Sequence, residues 1–190
     1  APCARLCAWP GRGGGMSAPP LETIPLVCAD KYAQRMLDEQ VYPRLLHLRA
    51  RSLRDDFNNR FRQLFPTSDE RFRLVFGPVK RVDRIADKVS EALDEFPRAR
   101  TSKDVLRNTV VCVDGDAFVA AYNFIDAEFK LGKRGRVKNY LAHTGFQPPR
   151  MLLNIFHEPR ERETNPCLEM LAEVQIYLDP IKEITDSPHK

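Results

Sequence analysis

The sequence predicts an α+β fold, a mixed β-sheet of about five strands flanked by helices. Patterns typical of helices and of strands alternate through most of the chain, and the last three strand patterns then follow one another with no helix between them. The chain has 190 residues, of which 43% are hydrophobic and 29% charged. These values are ordinary for a globular protein that buries one core without disulfides.

Residues 1–20 are rich in Ala, Gly, Pro and Arg, and no acidic residue precedes Glu22. Such a composition predicts a flexible tail. It leaves two origins open, the remnant of an organelle-targeting peptide or sequence upstream of a start at Met16. We therefore predict a tail or linker over 1–25 and a single domain with N-terminal helices over 26–190.

Two helical patterns open the domain. The first covers 30–40 and is capped by Asp30; the second has Pro43 in its first turn and ends near Phe65, before Pro66. A spacing of three and four places the apolar residues of the second pattern on one face: Leu46, Ala50, Leu53, Phe57, Phe61 and Leu64. The opposite face is rich in arginine, which predicts a solvated surface, with contact to RNA as the alternative.

Turn residues and periodicity divide the rest of the chain. Gly77-Pro78 ends the first strand, Pro97 closes a third helix, and Asp116 is predicted to cap a fourth. The predicted strands are 72–76, 108–113, 136–141, 151–156 and 171–178, and the predicted helices are 82–96 and 116–130.

Composition excludes several classes of protein. No apolar run approaches the roughly 18 residues of a membrane-spanning helix, so we expect no membrane partner. The five cysteines are scattered, which argues against a zinc site and predicts a reducing compartment, the cytoplasm first and a plastid second. The net charge is +4 and arginine outnumbers lysine, which favours a phosphate-bearing partner.

The familiar short motifs of P-loop, dinucleotide-binding and zinc-protease chemistry are missing from the sequence. The four histidines have no ligand spacing, so we interpret them as structural or solvated. The remaining candidates for a functional site are two carboxylates, one within a predicted strand and one just before another. Asp104 lies just before the strand 108–113, and Glu173 lies within 171–178 on the same face as Gln175 and Tyr177. Two carboxylates from different strands are suited to hold one Mg²⁺; the alternative is a half-exposed strand with salt bridges.

Two basic clusters complete the candidate site. Lysine binds phosphate as a point charge and arginine as a fork, so both clusters are suited to clamp a polyphosphate. The first comprises Lys80, Arg81, Arg84 and Lys88; the second covers 133–138, where Arg136 and Lys138 share one face of a strand.

Four segments in fixed order resemble the synthetase domain of RelA/SpoT-type alarmone synthetases. Residues 76–80 with Ile85 and Lys88 resemble the family pattern "GR-x-K…SI-x-x-K", and 103–111 resembles "DI-x-GIRI". Residues 136–141 followed by Gly145-Phe146 resemble "R-[IF]-KDYI…NGYRSLH", and 171–176 resembles "EIQIR".

This resemblance implies a nucleotidyltransferase-like fold and transfer of pyrophosphate from ATP to the 3′-hydroxyl of GDP or GTP, the step of guanosine tetraphosphate metabolism that serves the stringent response. It implies that Asp104 and Glu173 hold Mg²⁺ and that Glu173 takes the proton of the acceptor hydroxyl. By the same resemblance Lys80 and Lys88 meet the phosphates of ATP. Arg81, from the same basic cluster, is also predicted to bind the nucleotide. Arg136 and Lys138 line the acceptor side, and Phe146 stacks on guanine.

The chain departs from the family pattern mainly at cations. Pro78, Thr109 and Tyr177 stand where the patterns have arginine, Asn139 stands for an aspartate, and 147–150 reads Gln-Pro-Pro-Arg. Each lost charge-assisted contact removes roughly 1.5–3 kcal/mol of binding. The sequence therefore leaves three readings open: a pyrophosphokinase, with an adenine nucleotide or an RNA end as further acceptors; a catalytically impaired nucleotide- or RNA-binding module on the same fold; and an unrelated α+β interaction domain. It also leaves open whether the chain forms a homo-oligomer.

Overall fold

The computed structural model of the chain describes residues 36–92, 98, 102–141, 149–158, 169–179 and 181. The predicted tail 1–25 and the predicted stacking residue Phe146 lie outside these ranges. The domain limits 26–190 therefore stay a prediction. No helix in the described ranges combines the length and the apolar character that a membrane span requires.

The described elements follow the predicted α+β order closely. A short π-helical turn, Leu37–Val41, leads directly into the long helix α1. The elements are α1 (Tyr42–Leu64), β1 (Phe72–Phe76), α2 (Val82–Glu91), β2 (Arg107–Cys112), α3 (Gly115–Phe129), α4 (Leu131–Arg134), β3 (Arg136–Asn139), β4 (Met151–His157) and β5 (Met170–Leu178).

The five strands form one mixed sheet in the order β1-β2-β5-β4-β3. Strands β2 and β5 are parallel, whereas the other three neighbouring pairs are antiparallel. The parallel pair lies in the interior of the sheet, and β5 enters between β2 and β4 although it comes last in the chain. This order brings the segment that precedes β2 next to the strand that carries Glu173.

One face of the sheet forms the core with the helices. Alternate strand residues such as Val110, Val174 and Leu153 are completely buried there, together with side chains of α1, α2 and α3. On the other face the same strands carry polar side chains, including Thr109, Glu173 and Gln175. The predicted alternation of β5 is confirmed: Val174 and Ile176 are buried in the core, and Glu173 and Gln175 are only half-buried.

Helix α1 anchors this core through a row of phenylalanines. Phe57 and Phe61 are fully buried one turn apart, with ring centroids 5.0 Å apart, and Phe61 stacks on Phe129 of α3 at 5.8 Å. The helix ends at Leu64, and the amide of Phe65 still donates to the carbonyl of Phe61 before Pro66 prevents further helical bonding. The predicted apolar face of this helix is therefore confirmed.

Four local predictions are wrong. The strand predicted for 136–141 ends at Asn139. The described part of the pattern 30–40 is not a separate helix, because its π-helical turn passes into α1 at Tyr42 without a break. The helix predicted for 82–96 ends at Glu91, where Ala92 leaves the helical conformation. Asp114, not Asp116, caps α3: its side chain accepts a hydrogen bond of 2.8 Å from the amide of Ala117. Asp116 instead lies in the first turn of α3.

Candidate functional site

The connection between β1 and α2 lies against the start of β2. The amide of Gly77 donates to the carbonyl of Arg107 at 3.2 Å, and the amide of Lys80 donates to the carbonyl of Val105 at 3.0 Å. A Cβ atom on Gly77 would lie 2.7 Å from Cγ of Arg107 and 2.8 Å from its carbonyl oxygen. Glycine is therefore required here because the two backbones approach closely.

This contact assembles a cluster of two lysines and one aspartate. The Lys80 ammonium donates to Oδ2 of Asp104 at 2.6 Å, and the Lys88 ammonium donates to Oδ1 at 2.8 Å. Lys80 itself is positioned by His47 of α1, whose Nδ1–H donates to the Lys80 carbonyl at 2.9 Å. The structure thus brings three of the predicted site residues together, and we call them the lysine–aspartate cluster.

The electrostatics of the cluster favour an ionised carboxylate. The side chain of Asp104 is only 16% exposed, and burial alone raises its pKa. The hydrogen bonds and charges of Lys80 and Lys88 outweigh that effect, so the pKa of Asp104 lies below its ordinary value of 3.8. Asp104 is therefore an anion at neutral pH, and its charge is more than balanced by the two ammonium groups.

A pocket of about 490 Å³ opens beside the cluster. It is lined by Lys80, Arg84, Asp87, Lys88, Ser90 and Glu91. Arg81, which is predicted to bind nucleotide, is exposed and forms an ion pair with Asp83 at 3.0 Å, and it is not one of the residues that line this pocket. Arg84, one helical turn before Lys88, is the arginine that reaches this pocket.

Glu173 lies on the strand adjacent to β2, on the polar face of the sheet. Its amide donates to the carbonyl of Leu106 at 2.9 Å, and its register partner on β2 is Arg107. The side-chain Oε1 of Glu173 accepts a hydrogen bond of 2.7 Å from the side-chain Nε2 of Gln175. Of the two predicted carboxylates, Glu173 thus lies on β5 and Asp104 lies three residues before the neighbouring strand β2.

The register extends this arrangement across four strands. Arg107 of β2 pairs with Glu173 of β5, Glu173 pairs with Asn154 of β4, and Asn154 pairs with Arg136 of β3. Register partners point to the same face of a sheet, so these four side chains form one row, which we call the polar row. The next row on this face places Lys138 beside Leu152 and Gln175.

Arg136 and Lys138 therefore share the face of Glu173 but lie on the edge strand β3. Adjacent strands are about 4.8 Å apart, so the backbone of Arg136 lies roughly 10 Å from that of Glu173. The predicted acceptor-side cations and the predicted base are brought to one face, but not into direct contact.

One arrangement on this face was not predicted from the sequence. The guanidinium of Arg150 donates to the hydroxyl of Tyr177 at 3.1 Å and lies near the rings of Tyr177 and Tyr140. Tyr177 stands where the family pattern has an arginine, but the fold places a cation here from Arg150, the residue before β4. Only the pairing of β4 with β5 could have revealed it.

The residues predicted to hold Mg²⁺ have the appropriate donor chemistry. Both are carboxylates, and Asp104 is held in its ionised form. Among the residues that the structure describes, no group of three or more His, Cys, Asp or Glu side chains is placed to hold a metal ion. A magnesium ion held by these two carboxylates would complete its coordination with water molecules and phosphate oxygens, as Mg²⁺ commonly does in proteins.

Comparison with known proteins identifies the fold. No family model and no curated protein sequence matches the chain. The crystal structure of small alarmone synthetase 1 from Bacillus subtilis aligns with a TM-score of 0.54 and 14% sequence identity, covering 82% of this chain and 76% of that chain. The same enzyme bound to its product pppGpp aligns with a TM-score of 0.50 and 17% identity, covering 82% and 78%.

A third structure, the same enzyme bound to AMPCPP, aligns with a TM-score of 0.43 and 17% identity, covering 82% of this chain and 75% of that chain. The first two alignments show that the chain has the fold of the small alarmone synthetases. The predicted α+β architecture and the resemblance are therefore confirmed at the level of the fold. At these identities the chain is a divergent example of it.

Proposed function

We propose that this chain is a pyrophosphokinase that transfers pyrophosphate from ATP to the 3′-hydroxyl of GDP or GTP. The observation that carries the proposal is the meeting of Lys80, Lys88 and Asp104 at the start of β2, next to the strand that presents Glu173. Cations for a polyphosphate and carboxylates for a metal and a proton are then available on adjacent backbones. The fold shared with small alarmone synthetases supports this assignment.

On the donor side, Lys80 and Lys88 would bind the phosphates of ATP. Both ammonium groups are within hydrogen-bond distance of Asp104, and both line the pocket beside the cluster. A polyphosphate is more highly charged than one carboxylate, so it would attract the two lysines away from Asp104. The exchange would leave the Asp104 carboxylate free to act as a ligand.

On the acceptor side, Glu173 would act as the general base. The 3′-oxygen of the acceptor attacks the β-phosphorus of ATP, the bond from that phosphorus to the α–β bridging oxygen breaks, and AMP leaves. The proton of the 3′-hydroxyl passes to the carboxylate of Glu173. Arg136 and Lys138 would bind acceptor phosphates from the same face of the sheet, and Phe146 would stack on the base.

Asp104 and Glu173 would hold the Mg²⁺ that the fold family implies. When bound, such an ion orients phosphate groups and neutralises their charge. The half-buried position of Glu173 and the ionised state of Asp104 are consistent with that role. The lysines that flank Asp104 would keep its charge balanced when no nucleotide is bound.

The proposal is tested by incubating the purified chain with γ-³²P-ATP, Mg²⁺ and one acceptor at a time: GDP, GTP, ADP or total tRNA. The labelled products are separated by thin-layer chromatography. We expect label on GDP or GTP, and a loss of about 10²–10⁴-fold in rate for Glu173→Gln because the general base is removed.

The matched control is Asp116→Asn, which neutralises an exposed acid in the first turn of α3 and should leave the rate unchanged. Transfer that persists in Glu173→Gln would contradict the assigned base. Absence of label on every acceptor would contradict the pyrophosphokinase itself.

The second candidate function is a nucleotide- or RNA-binding module without turnover. The observation that favours it is the occupation of both oxygens of Asp104 by lysine ammonium groups, which opposes a metal on that carboxylate. This candidate predicts that ATP binds with the same affinity with and without Mg²⁺. The pyrophosphokinase predicts that Mg²⁺ tightens binding.

A further inference from the structure

The segment 104–107 lies between the two halves of the proposed site. On one side Gly77 and Lys80 donate backbone hydrogen bonds to the carbonyls of Arg107 and Val105. On the other side Glu173 is the register partner of Arg107 on β5. Residue 107 therefore adjoins both the loop that carries Lys80 and the strand that carries Glu173.

Arg107 is exposed, and its stem is fixed. Its Cγ atom approaches the α-carbon of Gly77 so closely that a Cβ atom there would lie only 2.7 Å away. The contact restrains the aliphatic part of the side chain while the guanidinium remains at the surface. A restrained arginine loses less conformational entropy when it binds an anion than a freely moving one does.

The charge of Arg107 has no carboxylate partner among the described residues. Glu173 stands directly opposite on the neighbouring strand, yet its Oε1 accepts from Gln175 and no ion pair joins it to Arg107. Lys80 and Lys88, in contrast, already donate to Asp104. Arg107 is thus a cation next to Glu173 whose charge is available to a ligand before any internal contact breaks.

From these observations we infer that Arg107 binds the polyphosphate of the donor nucleotide, at the end that faces Glu173. This inference rests on the proposed function for the identity of the nucleotide. The planar guanidinium binds two phosphate oxygens through a rigid bidentate fork, whereas the lysine ammonium groups act as point charges. Arg107 would therefore be able to bind a polyphosphate while the two lysines are still bonded to Asp104.

The test is calorimetric titration of the chain with ATP at a fixed Mg²⁺ concentration. Arg107→Gln keeps the Cβ and Cγ atoms that pack on Gly77 and removes only the charge and the fork. We expect its dissociation constant to rise at least about tenfold, as for loss of a charge-assisted hydrogen bond. Arg107→Lys should lie between this variant and the wild type, because it keeps the charge without the fork.

The matched control is Arg51→Gln, which removes an exposed arginine of α1. It should leave the dissociation constant of ATP unchanged. Three results would overturn the inference: Arg107→Gln binds ATP as tightly as the wild type, Arg51→Gln weakens binding equally, or the wild type does not bind ATP.

The outcome separates this inference from the proposed function. If the wild type transfers pyrophosphate and Arg107→Gln leaves ATP binding unchanged, the inference fails and the proposed function stands. If the wild type binds ATP through Arg107 but labels no acceptor, the proposed function fails and Arg107 remains a polyphosphate-binding residue.

Discussion

The lysine–aspartate cluster and the polar row contain similar charges, but the fold arranges them in opposite ways. In the cluster, Lys80 and Lys88 lie 2.6 and 2.8 Å from the carboxylate oxygens of Asp104. In the polar row, Arg107 and Glu173 are direct register partners, yet Glu173 is bonded to Gln175 and makes no ion pair with Arg107. The lysines of the cluster are paired with a carboxylate, whereas Arg107 of the polar row is not paired with Glu173.

The difference comes from the backbone that carries each region. The cluster joins a loop, a helix and the segment before β2, so its side chains approach one another from different directions. The polar row lies on parallel and antiparallel strands, whose side chains stand side by side at about the 4.8 Å spacing of a sheet. A sheet face therefore presents charges in a row, whereas a loop folded against a strand can close them into pairs.

The largest effect is expected from a substitution that disrupts the loop contact on which both regions depend. In Gly77→Ala the new methyl would lie 2.7 Å from Cγ of Arg107 and 2.8 Å from its carbonyl oxygen, so the loop must move. Because Lys80 and Arg107 shift relative to each other, we expect the rate of pyrophosphate transfer to fall by about 10²-fold. The rate is measured with γ-³²P-ATP.

Gly132→Ala is the matched control, since a Cβ atom there meets nothing within 4 Å. It should retain full activity. Equal rates for the two variants would show that the close approach at Gly77 does not position the site.

The cluster and strand β4, which carries part of the polar row, are expected to affect folding stability at different pH values. His157 lies at the end of β4, is 0% exposed and packs against Phe57; burial lowers its pKa from 6.5 to about 4, although Asp56 opposes this. The unfolded chain then binds more protons than the folded chain between these values, so stability decreases as the pH falls from 6.5 towards 4. We expect a loss of about 2 kcal/mol at pH 5, measured by urea unfolding.

His157→Gln should remove this loss, whereas Asp104→Asn should keep it. The pKa of Asp104 is lowered below 3.8, so its contribution is present above that value and disappears only in stronger acid. An unchanged pH dependence in His157→Gln would assign the acid sensitivity to other groups.

The smallest expected effect is the difference between the two regions in the coupling energy of their charged pairs. A double-mutant cycle of Lys80→Gln with Asp104→Asn should give a coupling of about 1 kcal/mol in the free energy of unfolding, since the pair is only partly exposed. The matching cycle of Arg107→Gln with Glu173→Gln should give a coupling near zero, because no ion pair joins them. Equal couplings would remove the distinction between the two regions.

Short-range patterns in the sequence determined most of the secondary structure. The strands 72–76, 151–156 and 171–178 and the long helix that begins near Pro43 were predicted to within a few residues. These predictions succeed because apolar residues alternate along a half-buried strand and recur every three or four residues along a half-buried helix. The errors at Ala92 and Asp114 are at helix ends, where one hydrogen bond decides the boundary.

The candidate residues were also named from the sequence, but their arrangement was not. Asp104 and Glu173 were predicted as a pair, and Lys80 and Lys88 as phosphate ligands. Nothing in the order of residues indicated that both lysines would bind Asp104, 24 and 16 residues away, or that Arg107 would stand opposite Glu173.

Tertiary structure alone decided these contacts because they depend on the strand order β1-β2-β5-β4-β3 and on its register. Pairing between distant strands is set by how the buried faces pack together and by which loops can close, and neither leaves a local pattern. The sequence by itself therefore determined which elements form and which residues carry charge. The fold determined which of those charges neutralise one another and which remain open to a ligand.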